Sequence, residues 1–173
     1  MELMEAIRRR RSIRSYLDKP VEEEKLKKVL EAGRLAPSAK NLQEWRYIIV
    51  RDKTTQEKLM SAAKGQRFVY EAPVVIVACA VNTDYKMSCG QYAYPIDVAI
   101  SLTHISLKAV EEGLGTCFIG AFYEDQVKKI LAIPEDVRVV ELMTLGYPKE
   151  TPFPKPRKDL KEIVCYEKWE FSI

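Results

Sequence analysis

Nine residues limit the fold more than any other stretch: Pro73 to Val81, PVVIVACAV. After the proline every side chain is apolar, and most are β-branched. The run is far shorter than the roughly 18 residues of a membrane span. It reads instead as a β-strand with both faces covered. Such a strand sits in the middle of a sheet, and other elements must cover the sheet above and below. With 173 residues the chain is long enough to build one such core, so residues 1–173 are expected to form a single domain.

The flanking sequence supplies the covers. Leu3, Met4 and Ile7 have helical spacing and predict a short first helix. Pro20 opens a second, with acidic residues in its first turn and Leu26, Val29, Leu30 and Gly33 on one face, ending before Pro37. WRYIIVR predicts a strand. Thr54 and Glu57 predict a capping-box start for the next helix. From Tyr94 to Glu112 the apolar residues Ile96, Ala99, Ile100, Leu107 and Val110 recur at helical spacing, and Leu102, Ile105 and Ala109 widen that face. A helix apolar on more than one side is buried centrally or shared with a partner subunit. TCFIG predicts a strand, YEDQVKKILAI a helix and VRVVELMTLGY a strand. Residues 148–173 form a proline-rich, then aromatic, extension that is expected to pack on its own domain or to wrap a partner chain.

Several function classes lack support. Lys plus Arg is 28 against 25 for Asp plus Glu, a net charge of +3, which is small for a nucleic-acid binder. Four widely spaced cysteines form no CxxC pair, so no zinc site is expected, and Cys79 and Cys117 in apolar runs read as buried thiols. There is no GxxxxGK[ST], no GxGxxG after a strand, no HExxH and no GxSxG. His104 is the single histidine, placed mid-helix where packing or hydrogen bonding is its expected role. The opening MELMEAIRRRR reverses the order of a secretory signal, and a cytoplasmic location is the expectation. A chain with so few catalytic side chains points to chemistry borrowed from a cofactor.

Against the small net charge, Arg8 to Tyr16, RRRRSIRSY, stands out. Arg10, Ser12 and Arg14 alternate. In extended backbone they share one side, and two guanidiniums with a hydroxyl suit a phosphate. The same charges could instead cap a helix end against its dipole. Spacing alone leaves both readings open. Far away in sequence, Lys155 and Arg157 also alternate, and the two pairs could converge on one dianion. Between a helix and a strand, APSAKNLQEW offers Ser38, Asn41 and Gln43, either as turn-forming residues or as ligand contacts.

In order along the chain, RRSIR (Arg10–Arg14), APSAKNLQEW (Ala36–Trp45), AP with VVIV (Ala72–Val77), GLGTCFIGAF (Gly113–Phe122) and LGYP followed by KPRK resemble the nitroreductase family of FMN-dependent oxidoreductases. The resemblance spans nearly the whole chain. It implies an α+β fold, a mostly antiparallel central sheet covered by helices, with the C-terminal tail extending onto the partner subunit. It also implies a homodimer with FMN at the interface. By the same resemblance Arg10, Ser12 and Arg14, joined by Lys155 and Arg157, hold the phosphate and ribityl end, and Arg11 touches the flavin through its backbone. Pro37, Ser38, Ala39 and Asn41 come from the opposite subunit. Gln66 reaches the ribityl chain or the ring, and Ile119, Gly120 and Ala121 present backbone to the flavin. NADH or NADPH is the implied reductant, and a nitroaromatic, quinone or similar small planar molecule the acceptor. A flavin-binding or flavin-delivery protein without its own turnover would carry the same binding residues. Glu44 departs from the family, which often has proline there, and the short stretch from Val81 to Tyr94 implies a nearly missing lid.

Overall fold

A computed structural model describes residues 1–171. The expected central strand is β2, Val74–Ala80, and all seven of its residues are buried. It pairs antiparallel on one side with β1, Trp45–Val50, and on the other with β4, Arg138–Gly146. β4 in turn pairs antiparallel with β3, Gly115–Ile119, giving the order β1-β2-β4-β3. The fold class is therefore the expected α+β antiparallel sheet. Alternate residues of β2 feed two cores. Val75, Val77 and Cys79 face a cluster with Leu59, Val69 and Leu142, while Val74, Ile76, Ala78 and Ala80 face one with Val98, Leu102 and Ile105. Each fully buried Val, Ile or Leu contributes about 1.5–3 kcal/mol, which explains why a run apolar on both faces occupies the middle of the sheet.

Among the described residues six α-helices surround it: α1 (Leu3–Arg9), α2 (Glu23–Arg34), α3 (Lys53–Ala62), α4 (Phe68–Glu71), α5 (Ala93–Glu111) and α6 (Glu124–Leu131). The short α4 had no periodic signal of its own. α3 begins earlier than its expected capping box. Asp52 is the N-cap, and its carboxylate accepts the Thr55 amide at 2.8 Å and the Thr55 hydroxyl at 2.7 Å. A carboxylate one step before the first turn outcompetes Thr54 for that role. α5 buries Val98, Leu102, Ile105 and Ala109 against the sheet. Its close packing on α2 depends on Gly33, where a Cβ would lie 2.7 Å from Ile105.

The segment after α1 is extended. The Ile13 amide donates to the Thr116 carbonyl at 2.9 Å, and Ser12 bridges Thr116 in parallel, so the arginine-rich stretch lies along the outer edge of β3. Gly115 permits this approach, because a Cβ there would collide with Ile13 and Pro148. Buried Tyr16 anchors the segment, its hydroxyl 2.7 Å from Thr144 Oγ1 and 2.8 Å from the Ile13 carbonyl. Beyond Pro148 the chain leaves the core. Phe153 is 93% exposed, Leu160 75%, Tyr166 78% and Trp169 73%. Residues 152–157 nevertheless come beside α1 and the segment after it.

Candidate functional site

The extended backbone after α1 turns Ile13 into the core and leaves Arg10, Ser12 and Arg14 on the outer side. The tail then returns to the same place. Arg10, Ser12, Arg14, Lys155 and Arg157 line one cleft of about 390 Å³, with Arg8 and Phe153 at its walls. Two alternating cationic pairs from opposite ends of the sequence thus converge. Among the described residues neither Arg10, Arg14, Lys155 nor Arg157 forms a salt bridge. Four cations gathered without carboxylates repel one another, and an anion relieves that cost. Guanidinium pairs, an ammonium and a hydroxyl are the donor set a phosphate dianion takes.

The neighbouring arginines do other work. Arg9 pairs with Glu5 one turn back at 3.1 Å. The Arg11 guanidinium folds onto the end of α1, donating to the carbonyls of Arg8 at 2.6 Å and Arg10 at 2.9 Å. Both readings of RRRRSIR are therefore realised: Arg11 caps the helix end, and it lines the cleft together with the alternating Arg10 and Arg14.

Along β3 the site continues. Gly120 lies four steps along the strand from Thr116, which is beside Ser12, about 13 Å of extended chain. Ile119 is buried and holds the strand, while Gly120 and Ala121 are exposed. Gly120 is unlike the other six glycines. Gly65, Gly90 and Gly113 have positive φ, and a Cβ on Gly33, Gly115 or Gly146 would strike a neighbour. Gly120 has neither reason: an added Cβ would meet only the Glu141 carboxyl oxygens, at 3.8 and 4.0 Å. Its missing side chain leaves backbone open to something outside the chain. Beside it, the Gln66 amide donates to the Ala63 carbonyl at 2.9 Å and to the Ala121 carbonyl at 3.2 Å. Two residues on, Phe68 lies under the Arg14 guanidinium at 5.9 Å. The stretch from Gln66 to Phe68 thus touches both Ala121, next to Gly120, and Arg14 of the cleft.

Pro37, Ser38, Ala39 and Asn41 lie elsewhere. They precede β1, the strand at the opposite edge of the sheet from β3, and they do not line the cleft. Their loop is rigidly built. Lys40, Asn41 and Gln43 have φ of 50°, 56° and 51°. The Gln43 amide donates to Ser38 Oγ at 3.0 Å, and the Ala39 amide to Asp97 Oδ2 at 3.0 Å. Behind the loop Glu44 is 1% exposed, and neither of its carboxylate oxygens has a hydrogen-bond partner within the described residues. Burial, and then the adjacent Asp97, hold its carboxyl above the usual range.

Three features escaped sequence reading. Glu44 and Glu141 look like surface residues by composition, yet the first is buried and the second half-buried. His104 is half-exposed on the outer side of α5, beside Pro95, Ile96, Ala99, Ile100 and Thr103 in a shallow apolar groove, with no side-chain hydrogen bond among the described residues. The expected buried thiols of Cys79 and Cys117 are found, and burial pushes Cys79 up to about 11.

A sequence profile of the nitroreductase family matches residues 7–147. An NADH dehydrogenase of Thermus thermophilus is 34% identical over 91% of this chain and 92% of its own. An FMN reductase [NAD(P)H] of Bacillus subtilis is 31% identical over 90% of this chain and 70% of its own. The crystal structure of a nitroreductase family protein from Clostridium difficile superposes with a TM-score of 0.88 at 32% identity, covering 98% of this chain and all of that one.

Proposed function

Since the chain belongs to the nitroreductase family, we propose that it is an FMN-dependent NAD(P)H oxidoreductase whose acceptor is a nitroaromatic, a quinone or a similar small planar molecule. The observation that carries this reading is the convergence of Arg10, Ser12, Arg14, Lys155 and Arg157 on one cleft beside β3, the strand that leads to the open backbone of Gly120. When bound, FMN supplies the redox chemistry, taking a hydride from NADH or NADPH and passing it to an acceptor that follows in the same pocket. The chain's own residues bind and orient. The arginines and Lys155 hold the phosphate by charge-assisted hydrogen bonds, each contributing about 1.5–3 kcal/mol. Ile119 anchors the edge from which Gly120 and Ala121 present backbone to the ring, and Gln66 fixes that edge through the Ala121 carbonyl.

Four residues of the family-derived site lie at the other edge of the sheet, so the site is completed by Pro37, Ser38, Ala39 and Asn41 of a second copy. Two uncovered apolar surfaces support a homodimer. One is the outer groove of α5, where Ile96 is 42% exposed. The other is the tail with its exposed Phe153, Tyr166 and Trp169, which we read as extending onto the partner. A free tail of this composition would leave its aromatic area in water.

Anaerobic mixing of FMN-loaded protein with NADH or NADPH tests the function. The flavin absorption bleaches, and an added quinone or nitroaromatic restores it over repeated turnovers. A flavin that binds but ignores both nicotinamides would instead favour a flavin-delivery protein. Failure to bind FMN would remove the proposal.

A further inference from the structure

The flavin reading uses the backbone of Gly120 but not the side chain that faces it. The β3–β4 register sets Ile119 against Leu142, so one step further Gly120 lies opposite Glu141. Alternation along β4 puts Glu141 on the side of Met143 and Leu145, the side that α5 covers. Its carboxyl oxygens lie 3.8 and 4.0 Å from the point a Gly120 Cβ would occupy, closer than any other group to that point. The side chain is half-buried, and none of the side-chain hydrogen bonds or ion pairs among the described residues engages it. An acid placed there has one open neighbour, the space in front of Gly120.

We propose that Glu141 sets the charge of the site that Gly120 opens: protonated, its carboxyl group is a neutral wall and a hydrogen-bond donor to the ligand seated there, and ionised, it opposes a negative ligand. The inference rests on the flavin reading for the identity of that ligand.

Three observations give it content. Burial alone pushes the Glu141 carboxyl up from its ordinary range, which favours the protonated form. The groups around it leave that effect unopposed. β2 sets Ala78 against it. On its own strand Arg138 is bound to Glu124 at 2.9 Å. At the start of α5, Asp97 is bound to the Ala39 amide, and Tyr94 acts on Arg138. From β3 the nearest titratable group is the buried Cys117 thiol, which burial and then Glu141 push up. Finally, reduction adds negative charge to a flavin, and a carboxylate a few ångströms away disfavours that charge more strongly in a half-buried setting than in water.

The test is the midpoint potential of bound FMN across pH, in wild type and in Glu141→Gln, with FMN affinity measured on both. At acid pH the two potentials coincide. Above the ionisation of Glu141 the wild-type potential falls below that of Glu141→Gln by about tenfold in the oxidised-to-reduced ratio, or ~30 mV for a two-electron couple. The wild type alone then shows the extra inflection, which keeps the test decisive should the variant be unstable. Curves that coincide at every pH, with FMN bound equally well, overturn the role of Glu141 and leave the flavin reading standing. A wild type that takes up no FMN overturns both.

Discussion

At the scale of single residues, the site depends on what is missing as much as on what is present. Gly115 and Gly120 stand five positions apart in one sequence run and cannot be told apart by type. Their surroundings differ: Gly115 is pressed by Ile13 and Pro148, and Gly120 faces open space and Glu141. Gly115→Ala is therefore expected to cost roughly 1–3 kcal/mol in stability, as overpacking does. Gly120→Val should leave the thermal melt nearly unchanged and weaken FMN on the order of tenfold or more. Thermal melts and fluorescence titration with FMN separate the two outcomes, and equal loss of stability in both would refute the distinction. Glu44 gives a pH prediction. Burial and Asp97 raise its carboxyl in the folded state. Its contribution is then complete below the unfolded value and is lost as pH rises through the folded one. Glu44→Gln should match wild type near pH 4 and be the more stable of the two near pH 8. A variant that is less stable at high pH would show that Glu44 has a partner when ionised. Neither carboxylate was legible beforehand, because burial of a lone Glu follows from tertiary packing and leaves no periodic trace.

Elements were more legible than contacts. The β-branched run of β2 and the alternation of Arg10, Ser12 and Arg14 each carry their own geometry, so the central strand and the outward face of the arginine stretch were readable. α4 is four residues long and has no room for a period, and the start of α3 was misplaced because Asp52 competes with Thr54 as a cap. The tail is the element on which most now depends. It brings Lys155 and Arg157 to the cleft while exposing its aromatic residues. Truncation after Pro148 is expected to yield a monomer in sedimentation and to weaken FMN about a hundredfold or more, from two lost charge-assisted contacts. The double variant Lys155→Ala, Arg157→Ala should lose the affinity and keep the dimer. Full FMN affinity in the truncated chain would remove the tail from the site.

At the scale of the whole molecule, the sheet separates the two groups of residues that we propose form one site. The arginine cleft and Gly120 lie along β3, and the Pro37–Asn41 loop precedes β1 at the opposite edge. From the residues alone this separation was invisible, since strand order is a property of the assembled sheet. If two copies share each site, defects in the two halves complement one another. The measurement that tests this most directly is FMN stoichiometry in mixed dimers of an Arg10→Met, Arg14→Met subunit with an Asn41→Asp subunit, each unable to hold FMN as a homodimer. A shared site predicts that mixing restores one FMN per dimer, because one of the two sites then receives both intact halves. Mixed dimers that bind no FMN would contradict the account and confine the site to a single chain.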